Sequence, residues 1–252
     1  MAAPAPDFEA IAGMLLTAQR AVVLTGLRLG GPECLDPTAA HGEWAKRASL
    51  EAFLTEPGRF WEYLYPTSLA IAGRRPGPAH EAIARLQRAG AIAALITQAV
   101  DRLHQRAGSP AVTEVYGTLL TQRCERCGER YGLPEVGSLL AAAPDGVPRC
   151  TTPDCAYPLR PDGTLWGEPL PRAAVERAWE LAAEADLFLV LDCDLRTAPI
   201  SLLPSVPLTR GAPLVVVGQA PTHYDRYAAL VVRAPSSPVM TAVASLIAPA
   251  PA

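Results

Sequence analysis

Four cysteines in the middle of the chain have the spacing of a metal site. Cys124 and Cys127 form a C-x2-C pair, and Cys150 and Cys155 form a C-x4-C pair after a gap of 22 residues. Two such knuckles can place four thiolates in a tetrahedron, the usual geometry of structural zinc. Four free thiols or two disulfides are the alternatives. The spacing predicts structural Zn²⁺, and four thiolates leave no open position for a catalytic water.

The charge balance of the chain limits its partners. Its 252 residues carry a net charge of −3 at pH 7, whereas nucleic-acid binding needs a basic surface. Nucleic acid is therefore not expected as a main partner. A local basic patch around the cysteines is the alternative, because four arginines flank them: Arg123, Arg126, Arg130 and Arg149.

No stretch of the sequence suits a membrane span or a targeting segment. The longest uncharged stretch, residues 234–252, contains four prolines, and its apolar part at 239–247 is too short to cross a bilayer. That part predicts a terminal helix docked on the core. We expect a cytoplasmic protein.

Apolar runs and helical patterns alternate along the chain. Each run is nearly continuous, which is typical of parallel strands with helices on both faces. The runs are Ala21–Thr25, residues 92–97, Leu187–Leu191, Leu214–Val217 and Leu230–Val232. Helical patterns cover residues 8–19, 79–88 and 173–185. The alternation predicts an α/β fold with a Rossmann-like parallel sheet.

Two stretches interrupt this alternation. Residues 44–65 are helical and aromatic, and residues 122–158 are loop-like and contain the four cysteines. We predict a smaller inserted domain, a helical part at 41–75 plus a zinc ribbon at 122–158. The large Rossmann-like domain then comprises 1–40, 76–121 and 159–252. The aromatic residues at 53–65 form either the core of the small domain or a partner surface.

Several motifs, in order along most of the chain, resemble those of sirtuins, the NAD-dependent protein lysine deacylases. They include TQAVDRLH at residues 97–104, AGS at 107–109 and EVYG at 114–117, just before the first cysteine pair. LWGEPLP at 165–171 and DLFLVLDCDL at 186–195 follow. The resemblance implies a Rossmann domain and a zinc-bearing small domain with a ligand cleft between them. It assigns Gly26, Arg28, Gln98, Asp101, Asp192 and Asp194 to the cofactor half of that cleft.

The chain departs from the sirtuin pattern at the chemistry. Tyr116 stands where the family has its general-base His, and a phenol is a poorer base than imidazole at neutral pH. Ala99 stands where the family has an Asn that positions the ribose and water, and the chain contains no Asn. No catalytic residue is therefore assigned. His80 and His104 are expected to satisfy local backbone groups.

The expected phosphate site has changed as well. Leu27 and Arg28 bring bulky side chains to the family's small-residue loop, although Arg28 could pair with a phosphate. Asp192 and Asp194 replace the Gly and Ser of the family's Gly-Thr-Ser, and two carboxylates would repel a pyrophosphate. Cys193 between them, like Cys34, is predicted to be a small buried residue.

These departures favour a sirtuin-like pseudoenzyme, a binding or scaffolding protein with structural zinc and weak or no NAD binding. The cleft would then take a protein partner or a small-molecule ligand. The alternative is an active NAD-dependent deacylase or an ADP-ribosyl-transferring enzyme that uses a base other than His.

Overall fold

A six-stranded parallel sheet forms the centre of the chain in a computed structural model, which describes residues 7–27, 29 and 43–249. Over the described ranges the strands are β1 (Ala21–Thr25), β2 (Ala94–Thr97), β3 (Val112–Glu114), β4 (Thr121–Cys124), β5 (Arg130–Gly132), β6 (Leu159–Pro161), β7 (Leu187–Leu191), β8 (Leu214–Val217) and β9 (Leu230–Val232). The strand order in the parallel sheet is β3-β2-β1-β7-β8-β9, and a separate three-stranded antiparallel sheet has the order β5-β4-β6.

Helices connect these strands. The described α-helices are α1 (Phe8–Thr17), α2 (Glu43–Arg47), α3 (Leu50–Thr55), α4 (Pro57–Ala72), α5 (Pro78–Arg88), α6 (Leu103–Arg106), α7 (Leu133–Ala142), α8 (Arg172–Glu184), α9 (Ser205–Thr209) and α10 (Ser236–Ile247). Short 3-10 turns lie at Ile200–Leu202 and Asp225–Tyr227. No helix in the described part of the chain is long and apolar enough to cross a bilayer.

Both faces of the parallel sheet are buried, which explains its continuous apolar runs. Alternate side chains of each strand point to opposite faces. Val23 and Leu189 pack in the core formed with α1, α5 and α10. Val22 and Phe188 pack in the opposite core, which includes residues of α8. The predicted Rossmann-like sheet is confirmed.

The boundaries of the elements differ modestly from those expected. The second strand begins at Ala94 rather than at residue 92, and α10 begins at Ser236 rather than at 239. The edge strand β3 was not predicted, because it has only three residues and all are half-buried. It lacks the apolar run by which the other parallel strands were found.

The cysteine-bearing stretch is more regular than the loop that the sequence suggested. It contains strands β4 and β5 and the ten-residue helix α7. Glu135 caps α7, since the Gly132 amide donates to its Oε2 at 2.7 Å. The loop-like interpretation of residues 122–158 is therefore wrong for this helix.

A third core joins the aromatic helices to the cysteine-bearing part. Phe60 and Trp61 on α4 are each 1 % exposed and pack with Val136 of α7 and with Cys124. Of the two roles proposed for the aromatic residues, the core role fits this packing. The exact domain boundaries stay a prediction.

Candidate binding cleft and metal site

The ends of three parallel strands meet at one edge of the large sheet. Gly26 follows β1, Gln98 follows β2, and Asp192 follows β7. The strand order reverses between β1 and β7, and ligands of open α/β sheets bind outside the carboxyl ends at such a switch point. Arg28, the other residue predicted near a phosphate, lies outside the described residues, as does Cys34.

An apolar cavity of about 500 Å³ opens beside this edge. Leu27 and Tyr116 reach it from the sheet, and Leu165 and Trp166 form part of its wall. Its size is within the range of small-molecule pockets. The other apolar lining residues are Trp44, Val100, Leu119, Pro169, Leu170, Val175, Ala198 and Pro199. Trp44 and Leu119 were not predicted as site residues, because neither belongs to a motif that carries chemistry.

Tyr116 lines the cavity as an un-ionised phenol. The side chain packs against both the core under the sheet and the third core. Burial raises the pKa of Tyr116 to about 12, and the nearby Cys193 and Asp194 add to this effect. A group with that pKa holds its proton at pH 7, so Tyr116 is poorly suited to accept one.

The polar side chains that follow β2 accept hydrogen bonds from other groups of the protein. The Cys193 thiol donates to Gln98 Oε1 at 3.1 Å, and the Leu103 amide donates to Asp101 Oδ1 at 3.0 Å. Burial raises the pKa of Cys193 to about 12, so the thiol is the donor. Ala99 and Asp101 line a second cavity of only about 10 Å³, which is close to the minimum for one water.

Two histidines lie beneath this edge in a buried cluster. The His80 and His104 rings are 4.8 Å apart. His80 Nδ1 accepts a hydrogen bond from the Gly77 amide at 3.1 Å, which is the local backbone role expected of it. His104 differs, because its Nε2 is 3.0 Å from the hydroxyl of Thr25, which donates to Thr97 at 2.8 Å.

This histidine cluster predicts acid sensitivity. Burial lowers the pKa of His104 to about 3, and His80 adds to the shift. Between pH 6.5 and 3, His104 is protonated in the unfolded chain but stays neutral in the folded chain. The free energy of unfolding therefore keeps its full contribution from His104 above about pH 6.5. It decreases as the pH falls, by about 2 kcal/mol at pH 5.

Urea denaturation at pH 7 and pH 5 measures this loss. The difference between the two pH values should shrink in His104→Gln and persist in the matched variant His223→Gln, which changes an exposed histidine. An equal pH dependence in both variants would contradict the assignment to His104.

The carboxylates after β7 have different partners. Asp192 Oδ2 accepts a hydrogen bond from the Ser236 amide at 3.2 Å, and burial raises the pKa of Asp192. Asp194 pairs with Arg196 at 3.6 Å, and its side chain is 39 % exposed. Only Asp192 therefore faces the start of α10.

The four predicted cysteine ligands come together. All four sulfurs lie within 4.8 Å of one another. The Sγ atoms of Cys124 and Cys155 are 3.5 Å apart, as are those of Cys127 and Cys150. Those distances exclude disulfides, whose S–S bond is about 2.05 Å, and are close to the ~3.8 Å sulfur separation of a tetrahedron with Zn–S bonds of about 2.3 Å. The cluster can hold a metal ion and fits zinc.

The arginines beside the cysteines do not form a free basic patch. Arg123 and Arg130 lie 3.3 and 3.7 Å from Asp162, and Arg149 lies 2.7 Å from Asp145. Arg126 donates to the Cys155 carbonyl at 3.4 Å. These partners weaken the nucleic-acid alternative.

Comparison with known proteins places these features in a family. The family model described as "Sir2 family" matches residues 41–199. The NAD-dependent protein deacetylase 1 of Pyrobaculum aerophilum is 34 % identical over 242 residues, 93 % of this chain and 92 % of that protein. The NAD-dependent protein deacylase of Thermus thermophilus is 36 % identical over 245 residues, 93 % and 91 % of the two chains.

Solved structures agree with this match. A structure of Sir2Tm bound to a propionylated peptide has a TM-score of 0.84 and 28 % identity and covers 97 % of this chain and 100 % of that one. A complex of a His-to-Tyr mutant of Sir2 with a p53 peptide and NAD has a TM-score of 0.83 and 30 % identity, over 94 % and 97 % of the two chains. From the family match, the relatives and the shared fold together, the chain belongs to the Sir2 family, the sirtuins.

Proposed function

We propose that this sirtuin is a binding protein, whose apolar cavity takes an acylated lysine of a partner protein and leaves it largely unreacted. The observation that carries the proposal is Tyr116, a protonated phenol on the cavity wall where the resemblance expects an imidazole base.

The lining of the cavity suits an acylated lysine better than a free one. The two carboxylates that line the cavity, Glu168 and Glu176, are already paired with Arg160 and Arg172, so a free lysine would bury an ammonium without a partner. Acylation removes the positive charge and with it this cost. Leu165 and Trp166 offer apolar surface for the aliphatic stem. Related structures are described as bound to acetylated and propionylated peptides, which supports this class of ligand.

The groups that would carry the deacylase chemistry are missing or engaged. Tyr116 holds its proton at neutral pH, Ala99 has no polar side chain, and Gln98 already accepts from Cys193. General acid–base catalysis needs a group whose pKa lies near the working pH. Among these three residues none meets that condition.

A slow NAD-dependent deacylase is the second candidate. The names of the relatives favour it. So does the solved complex of the His-to-Tyr Sir2 mutant, which is described as containing both a p53 peptide and NAD. In that protein the substitution is compatible with both ligands, so Tyr116 alone argues against turnover rather than against binding.

Peptide binding tests the proposal. We expect an acetyl-lysine peptide to bind at least about tenfold more tightly than the same peptide with free lysine, since only the latter must bury a charge. Isothermal titration calorimetry with and without NAD measures both affinities. Equal affinity for the two peptides would contradict an acyl-lysine site.

Nicotinamide release separates the two candidates. Wild-type protein should release far less nicotinamide than the Thermus thermophilus deacylase assayed in parallel. At NAD concentrations high enough to saturate the protein, Tyr116→His should release more nicotinamide than wild type, whereas the matched variant Tyr157→His, at an exposed tyrosine, should not. Wild-type turnover near that of the Thermus enzyme would favour the second candidate.

A further inference from the structure

The chain after β7 occupies the switch point of the sheet. Gly26 lies so close to it that a Cβ at residue 26 would be 2.0 Å from the Asp192 carbonyl oxygen and 2.6 Å from Cys193 Cα. The Gly26 amide also donates to the Leu191 carbonyl at 2.9 Å. Main chain therefore fills the space directly between the ends of β1 and β7.

Asp192 places its own carboxylate at the start of α10. The residue has a φ of +46°, a left-handed conformation that Gly, Asn and Asp adopt more readily than other residue types. Its Oδ2 accepts from the Ser236 amide, and its Oδ1 would be 3.3 Å from a Cβ at Gly218. The carboxylate thus lies at the ends of two strands, β7 and β8.

The start of α10 is where a negatively charged ligand would be bound most strongly. The amino end of a helix carries partial positive charge and free amides, which attract phosphates in α/β folds. Here α10 is 12 residues long, and its first amide, that of Ser236, already donates a hydrogen bond to Asp192. The nearby cation Arg233 is paired with Asp225 and donates to the Gly218 carbonyl. A dinucleotide would meet a resident negative group in place of a donor.

We propose that Asp192 excludes anionic dinucleotides from this edge of the sheet. The residues present do not fit a pyrophosphate, because like charges repel and the helix amide is already occupied. The inference does not depend on the proposed function, because it concerns the sheet edge and not the apolar cavity.

Titration with NAD and with ADP-ribose tests the exclusion without any peptide. Asp192→Gly removes the carboxylate at a φ that glycine adopts freely, so the variant is expected to fold, which circular dichroism checks. We expect its affinity for both ligands to exceed that of wild type by at least about tenfold. Asp192→Asn, which keeps the shape and removes the charge, should give a smaller gain.

The matched control changes the same charge elsewhere. Asp145→Asn alters an exposed aspartate beside the cysteines and should leave NAD affinity at the wild-type value. The exclusion is overturned if wild type and Asp192→Gly bind NAD equally, or if neither binds it, because the barrier would then lie elsewhere. Acetyl-lysine peptide affinity, measured separately without NAD, shows whether the proposed function fails on its own.

Discussion

Cys150→Ser is expected to abolish stoichiometric zinc binding and to unfold the part of the chain around β4, β5 and β6. Cys150 is 5 % exposed and belongs, with Cys124 and Trp61, to the third core. Structural zinc contributes about 10–16 kcal/mol in zinc-finger peptides, far more than a few short strands can replace. Loss of one thiolate would leave the tetrahedral site incomplete and expose the apolar side chains packed around it.

Metal analysis and thermal melting followed by tryptophan fluorescence measure this effect. Wild type should contain about one zinc per chain and should melt at a markedly lower temperature after chelation. The matched variant Cys193→Ser changes a buried cysteine outside the cluster and should keep its zinc. Full zinc content together with unchanged melting in Cys150→Ser would refute a structural metal.

Much of the fold could be predicted because its signals are local. A strand buried on both faces needs apolar residues throughout, as at Leu187–Leu191, where all five side chains are buried. The cysteine spacing was equally direct, because tetrahedral geometry limits how far apart the ligands of a short knuckle lie. Helix α7 was missed although Pro134 and Glu135 are both favourable at a helix start.

The contacts of the candidate site were less predictable because they join distant residues. The Cys193–Gln98 hydrogen bond links side chains 95 positions apart, and no local pattern specifies it. The sequence predicted two carboxylates after β7, but only the folded chain shows that Asp192 faces α10 while Asp194 pairs with Arg196. Composition and spacing predict which groups are present, and tertiary packing decides what each of them faces.

Glu168→Ala is expected to destabilise the protein by up to about 3–5 kcal/mol, because it leaves the buried guanidinium of Arg160 with the more exposed Glu125, at 3.0 Å, as its remaining carboxylate partner. The side chains of Arg160 and Glu168 are 8 % and 11 % exposed. Arg160 Nη1 and Nη2 donate to the two carboxylate oxygens at 2.7 and 2.6 Å. The Leu165 amide donates to Glu168 Oε2 at 2.8 Å. One carboxylate therefore joins β6 to the loop that forms the cavity wall.

The matched variant is Glu176→Ala, which removes an exposed carboxylate from the same cavity rim. Glu176 pairs with Arg172 at 2.6 Å, but these side chains are 55 % and 90 % exposed, so the change should cost less than about 1 kcal/mol. Urea denaturation of both variants gives the comparison. Equal losses would show that the Arg160–Glu168 pair behaves as a surface ion pair.

The same contact predicts how stability and binding are coupled. Because Glu168 holds Leu165, its loss should weaken acetyl-lysine peptide binding even at temperatures where the variant stays folded. Glu168→Gln keeps one acceptor oxygen for the donors of Arg160 and Leu165 and replaces the other oxygen with an NH2 donor, so its losses in stability and affinity should lie between those of wild type and Glu168→Ala. If peptide affinity stays constant across these variants while stability falls, the cavity wall does not depend on the contact between Glu168 and β6. The acyl-lysine site would then depend on the sheet edge alone.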